Sequence, residues 1–406
     1  MTIKKVAIFT PGFVPVPAVK GGAIEQLIEY IIEQNERAFQ YVFDVYTIDD
    51  LKLREVDYKH TRLIRIKDKQ KEIVYRFFYG VKNRLNKYFK RQSISSYVNS
   101  KFVKEFKKNY YDKVIIENNM DLYRELYPKL KNEEIIFHLH NNIDCGDRGK
   151  TKEKTEFILD TADKVIVASK FLKRRLLEIR PTCGNKISVV YNGVISQNLK
   201  PISQNDIKQL KEKYDISKED VVFTYIGRLN SEKGADKLID AVQKLKQCKN
   251  IKLLIVGDSF FDISGRDKYL ELLRKKSKGI ERKIIFTNYV PNTCINKIYS
   301  ISDCVIIPTQ VEEVFGLVAL ESMTMGVPVI ASKSGGLPEV LSNKCAVFIN
   351  RDNRFVDNLS SAILTLYKKT EKRKSMGKYG RIKAKSFPRS EKEYANDIFY
   401  VLDKSC

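Results

Sequence analysis

No apolar run in the 406 residues approaches the length that a membrane-crossing helix needs. Residues 1–13 are charged and then apolar, as a leader is, but Pro11-Gly12 breaks the run too early, and the segment reads as a first strand. Seven cysteines are scattered, at Cys145, Cys183, Cys248, Cys294, Cys304, Cys345 and Cys406, and none forms a Cys-x-x-Cys pair. That argues against structural zinc and suits a reducing, cytoplasmic setting. No Asp-x-Asp triplet occurs, so a hard-metal site built on that element is not expected. Histidine is limited to His60, His138 and His140, and neither repeats nor low-complexity tracts are present.

At this length two or three domains are expected, each able to bury its own core. A hydrophobic content of 43% is ordinary for a soluble protein. The net charge of +24 is uneven: residues 51–100 hold 14 Lys/Arg against 4 Asp/Glu, and residues 301–350 hold 2 against 5. Such a charge bears on partners and not on fold.

Short apolar runs alternate with amphipathic stretches. Strands are predicted at 5–10, 42–47, 63–66, 113–117, 135–140, 165–168 and 187–191, with a helix opening after Gly21-Gly22 that carries Ile24, Leu27, Ile28 and Ile31 at helical spacing. Residues 195–220 are polar, without a strand, and read as a linker. A second series follows at 221–226, 252–256, 283–286, 304–307, 327–331 and 346–349. Strands alternating with helices predict parallel, doubly wound α/β sheets. The expected organisation is a first domain at 1–194, the linker, a second domain at 221–385, and a terminal helix within 386–406 beyond Pro388. Ligands in such sheets bind outside the carboxyl ends of the strands, which places the expected site in a cleft between two facing domains.

The richest segment is 312–336. Glu313 and Glu321 flank Phe315-Gly316, where a helix should begin; a buried strand and Gly335-Gly336 follow. Free N–H groups at a helix start favour phosphate oxygens, and Gly316 permits close approach. Two acids beside them suit a ligand with hydroxyls at both ends and phosphates between, as in nucleotide-sugars. Taken alone, the pair fits a surface helix with an acidic first turn better, and the neighbouring motifs reverse that order.

Gly227-Arg228 and Lys233 lie in the loop after the second domain's first strand. Arg plus Lys there can neutralise a departing diphosphate, or can be a solvated basic loop. Val256-Gly257-Asp258 ends the next strand, a common pattern in this kind of sheet. Gly21-Gly22 is either a phosphate- or acceptor-facing loop or a flexible turn. His138 and His140, two apart on a strand, share a face. A metal pair would need a third ligand, and none is near in sequence; one histidine facing a transferring sugar and a packed core histidine remain open. Residues 75–91 place Phe78, Val81, Leu85 and Tyr88 on one helical face among Lys82, Arg84, Lys87, Lys90 and Arg91. Such a helix can dock on an anionic bilayer or simply present a solvated basic back. No RNA-binding signature accompanies it, so nucleic acid is not an expected partner.

Together these motifs resemble glycosyltransferase family 4, retaining enzymes of the GT-B fold. The resemblance rests on Gly227-Arg228-Leu229 with Glu232-Lys233-Gly234, on Glu313 to Glu321 around Phe315-Gly316, on Gly335-Gly336-Leu337-Pro338-Glu339, and on Asn192-Gly193-Val194. Gly21-Gly22-Ala23-Ile24-Glu25 and His138-Leu139-His140-Asn141 are similar to its bacterial polysaccharide and spore-coat-like branch. The resemblance implies two Rossmann-like domains facing across a cleft. It implies transfer of a hexosyl-type group from a nucleotide-diphosphate sugar, with no metal and no cofactor, to a lipid-linked or polysaccharide acceptor. It assigns the donor diphosphate to Arg228 and Lys233, donor-sugar hydroxyls to Glu313, and ribose hydroxyls to Glu321. Backbone contacts fall to Phe315, Gly316 and Leu317, the active-site histidine to His140, and a phosphate contact to Gly22; Gly21, Gly227 and Gly257 complete the donor-facing loops. Val314 and Thr309 depart mildly from the pattern. Asn288-Tyr289 replaces a common Gly-Tyr in the base-contacting loop, which also holds Val290. The expected place is the cytoplasmic face of the cell membrane. The rival readings are a phosphorylase or sugar-nucleotide epimerase on the same fold, and an inactive coat or scaffold protein.

Overall fold

The computed structural model describes residues 3–68, 96–143, 150–195, 198–257 and 268–404. The chain forms two compact units, one running to Tyr191 and resuming at Glu391, the other spanning Asn192–Ser390.

The first unit carries seven strands: β1 Lys4–Phe9, β2 Tyr41–Ile48, β3 Thr61–Ile66, β4 Lys113–Glu117, β5 Glu134–Leu139, β6 Lys164–Val167 and β7 Ile187–Val189. They pair in parallel in the order β3-β2-β1-β4-β5-β6-β7. The second unit carries β8 Val221–Ile226, β9 Ile251–Val256, β10 Ile284–Asn288, β11 Cys304–Ile307, β12 Val329–Ser332 and β13 Ala346–Ile349, in the order β10-β9-β8-β11-β12-β13. Both are Rossmann-like α/β units. The runs are apolar throughout because a parallel sheet is covered on both faces; every residue of β4, for example, is buried. All thirteen predicted strands are present, four with the predicted ends and the rest with ends shifted by no more than two residues. β12 starts two residues later than expected. Val327 closes the preceding helix through its N–H to the Ser322 carbonyl (2.9 Å), and Pro328 has no N–H to donate.

The segment 195–220 is not a bare linker. Its described part contains a helix, Gln204–Lys213, capped by Ser203, whose Oγ accepts from the Asp206 N–H at 3.1 Å. Ile202 N–H donates to Ser300 Oγ (3.2 Å) and Asn296 Nδ2 to the Lys200 carbonyl (3.1 Å), tying the segment to the helix Ile295–Ile301 of the same unit. The second unit also keeps residues 386–390. A Cβ at Gly193 would lie 2.7 Å from the Pro388 Cβ, and Val194 N–H donates to the Pro388 carbonyl at 3.1 Å. The last helix, Glu391–Asp403, belongs to the first unit. It lies along the helix Ala23–Ala38, with Tyr394 edge-on to Tyr30 and Arg37 paired to Glu391 at 2.7 Å.

Candidate functional site

In each sheet the strand order reverses once, between β1 and β4 and between β8 and β11. Connections leave such a point in opposite directions and open a crevice at the carboxyl ends. The singled-out residues of the second unit gather there. Arg228 follows β8 with an exposed side chain, its carbonyl held by the Tyr225 hydroxyl at 2.7 Å. Asn230 caps the turn Ser231–Lys233 by accepting from the Lys233 N–H at 3.1 Å. That turn sends the Lys233 ammonium across the reversal point to an ion pair with Glu313, in the loop after β11. Gly257 and Val290 follow β9 and β10 on the same edge. Gly227 N–H donates to the Val256 carbonyl (3.0 Å) and Gly257 N–H to the Asn288 carbonyl (3.2 Å), linking the three strand ends.

The acidic loop is braced from several sides. Glu313 N–H donates to Ser334 Oγ (3.1 Å), which donates to the Val311 carbonyl (2.7 Å). Glu312 is ion-paired with Arg351 and accepts from the Gly335 N–H, and Arg351 Nη1 donates to the Gln310 carbonyl (3.0 Å). Gly335 is left-handed (φ 49°), and a Cβ there would lie 2.0 Å from the Glu313 carbonyl oxygen; at Gly336 it would lie 2.2 Å from that of Val314. The glycine pair thus packs backbone on backbone against the acid loop.

Gly316 (φ 99°), which has no side chain to cap with, opens the helix Leu317–Met325. Phe315 is buried edge-on against Phe387 (5.7 Å), so its side chain serves the core. Glu321 lies on the helix and does not join the Lys233–Glu313 pair. Its Oε2 accepts from the Tyr299 hydroxyl at 2.7 Å, and burial pushes its carboxyl up to about 7.

In the first unit, Gly21 donates its N–H to the Ala18 carbonyl (2.8 Å) and Gly22 (φ 112°) precedes the helix Ala23–Ala38. His138 and His140 meet a third group, contrary to the expectation that none is near. Glu117 ends β4 in register with His138 on β5. His140 Nε2 lies 2.8 Å and His138 Nδ1 3.1 Å from Glu117 Oε2, and all three side chains are buried. Burial alone would raise the Glu117 carboxyl; the two imidazoles overcome it and hold it down to about 2. Burial and His138 lower His140 to about 4, leaving it neutral near neutral pH.

Sequence reasoning missed Glu117, Tyr299 and the Glu312–Arg351 brace. Each acts through a neighbour more than twenty residues away, which only the sheet order brings close. The basic stretch 75–91 and Asp258 lie outside the described residues. No helix among the described residues is long and apolar enough to cross a membrane.

Residues 206–383 match the family model described as Glycosyl transferases group 1. The chain is 32% identical over 228 residues to the lipopolysaccharide 1,2-N-acetylglucosaminetransferase of Salmonella typhimurium, a match covering 56% of each chain, so it spans about half the length of that relative. It is 24% identical over 392 residues to spore coat protein SA of Bacillus subtilis, covering 94% of this chain and 95% of that one. Among solved structures, the Anabaena protein HepE in complex with UDP superposes with a TM-score of 0.72 at 19% identity, covering 98% of this chain and 99% of that one, a likeness of fold.

Proposed function

We propose, from the match of residues 206–383 to the group 1 glycosyltransferase model and the likeness of fold to GT-B structures, that this chain moves a sugar from a nucleotide diphosphate to a hydroxyl of a surface glycan, lipid-linked or polysaccharide. The observation that carries the reading is the Lys233–Glu313 pair beside the exposed Arg228 at the reversal point of the sheet. A diphosphate entering there replaces Glu313 as the partner of Lys233 and gains Arg228 as a second cation. Glu313, released, accepts from donor-sugar hydroxyls, and Glu321 from ribose hydroxyls. Each unit-charge contact at about 4 Å contributes about 4 kcal/mol at an effective dielectric near 20, and it strengthens as charge gathers on the leaving oxygen.

The sugar–phosphate bond breaks, the acceptor oxygen bonds the same anomeric carbon from the same face, and the acceptor proton passes to the leaving phosphate. Configuration is retained, and the two cations take the part that a metal plays elsewhere. The Salmonella relative's name supports a surface-glycan product, and the UDP bound to HepE supports a nucleotide-diphosphate donor.

Glu313→Ala and Lys233→Ala should each lower transfer at least about a hundredfold while thermal unfolding stays cooperative. Normal turnover in either variant refutes the site. Thermal-shift screening of nucleotide-sugars identifies the donor, since a ligand of the native form raises its apparent stability. The charge of 75–91 further supports peripheral association with the anionic, cytoplasmic face of the membrane. Neutralising Lys82, Arg84, Lys87, Lys90 and Arg91 should abolish sedimentation with phosphatidylserine vesicles, and unchanged sedimentation rejects the association.

A further inference from the structure

The end of β4 grips the end of β5 twice. Asn118 Oδ1 accepts from the backbone N–H groups of His140 (3.0 Å) and Asn141 (3.1 Å), and Glu117 reaches both imidazoles. An ionised carboxylate only accepts hydrogen bonds, so the nitrogen that faces it must carry the proton. His140 is then protonated on Nε2 and His138 on Nδ1. The opposite nitrogens, His140 Nδ1 and His138 Nε2, are buried and have no hydrogen-bond partner among the described residues. A neutral imidazole presents a bare lone pair at that position.

The same three groups lie close enough to hold a metal ion, but the outer nitrogens argue against it. With a metal between them, each outer nitrogen would be a buried N–H donor lacking the acceptor that metal-bound histidines almost always have. As a bare lone pair, the outer nitrogen of neutral His140 is a ready acceptor for a hydroxyl.

We propose that Glu117 is a positioning residue. It fixes His140 in the Nε2–H tautomer, so that Nδ1 accepts a hydrogen bond from a hydroxyl of a sugar bound by the first unit. The inference rests on the glycosyltransferase reading for the identity of the hydroxyl, and not for the tautomer. Asn118 sets the backbone of His140, Glu117 sets its proton, and the incoming hydroxyl satisfies an acceptor otherwise left buried and unpaired.

Long-range proton–nitrogen correlation spectra of the labelled wild-type protein near neutral pH decide the first half. His140 should carry its proton on Nε2; a proton on Nδ1, or a stoichiometric bound zinc by elemental analysis, overturns the proposal. Glu117→Gln keeps size while replacing the acceptor-only group by an amide able to donate. It should shift the His140 tautomer and lower kcat by about tenfold or more, with the donor KM within about twofold. Unchanged kcat in a folded Glu117→Gln protein overturns the positioning role. If that variant does not fold, the wild-type tautomer alone decides the matter. Wild-type protein that binds no nucleotide-sugar and transfers nothing refutes the functional reading and leaves the tautomer result standing.

Discussion

The fold takes two carboxylates, one in each unit, out of water and treats them oppositely. Glu117 at the end of β4 is buried and yet held down to about 2, because two imidazoles face it. Glu321 on the helix after Gly316 is partly buried and pushed up to about 7, because its partner is the neutral Tyr299 hydroxyl. Burial acts in the same direction on both; the neighbours decide the sign. A single phenol donor does not make up for lost hydration, whereas the electrostatic attraction of His138, joined by hydrogen bonds from both imidazoles, does. Glu117 is therefore suited to hold other groups in place as a permanent anion. Glu321 is suited to respond to a ligand, since ribose hydroxyls would add donors that favour its ionised form.

The comparison breaks most visibly at Glu117. Glu117→Leu removes the shared acceptor of two buried imidazoles and should cost about 3 kcal/mol or more of stability, measured by denaturant unfolding. Glu321→Leu, losing one phenol contact, should cost clearly less.

The second test is pH. His140 is lowered from 6.5 to about 4, so its contribution is full above about 6.5 and is lost as pH falls through about 4; Glu117 follows from 4.5 down to about 2. Of the other titratable neighbours of Glu117, Glu25 is raised by burial and runs the opposite way, whereas Tyr394, raised well above its ordinary value, stays neutral throughout this range. Glu321 runs the other way: raised from 4.5 to about 7, it contributes fully below about 4.5 and less as pH rises through about 7. Hydrogen exchange, corrected for intrinsic rates, should show the ends of β4 and β5 losing protection and the helix Leu317–Met325 gaining it between about pH 7.5 and about pH 5. Glu25, Glu29 and Glu33 on the helix Ala23–Ala38, raised by burial, act in the second direction within the first unit. The same direction at the two strand ends and at the helix Leu317–Met325 would contradict the contrast.

The smallest effect isolates one titration. Glu321→Gln cannot ionise, so its melting temperature relative to wild type should rise from about pH 5 to about pH 8, by a few degrees. A difference independent of pH would mean that Glu321 titrates normally.

Much of this architecture was legible in the sequence. Period and turn chemistry located all thirteen strands, since parallel strands buried on both faces leave continuous apolar runs. Lys233 and Glu313, eighty residues apart, were each singled out, but their contact depends on β8 lying beside β11, which local pattern does not encode. Glu117 was hidden for the same reason: at the end of an apolar strand it looks like any polar residue leaving a sheet, until β5 is laid beside it. The helix Gln204–Lys213 escaped because its residues are mostly exposed and its apolar side chains too few to mark a face.

The contact of Gly335-Gly336 with the backbone at Glu313 and Val314 has an evolutionary and practical consequence. A side chain on either glycine would wedge the acid loop away, so the spacing between that loop and β12 cannot be altered by substituting either glycine without displacing the loop. If the proposed function holds, diversification would have to run through the side chains that the loop displays, and a library aimed at altered donor choice should leave the glycines untouched.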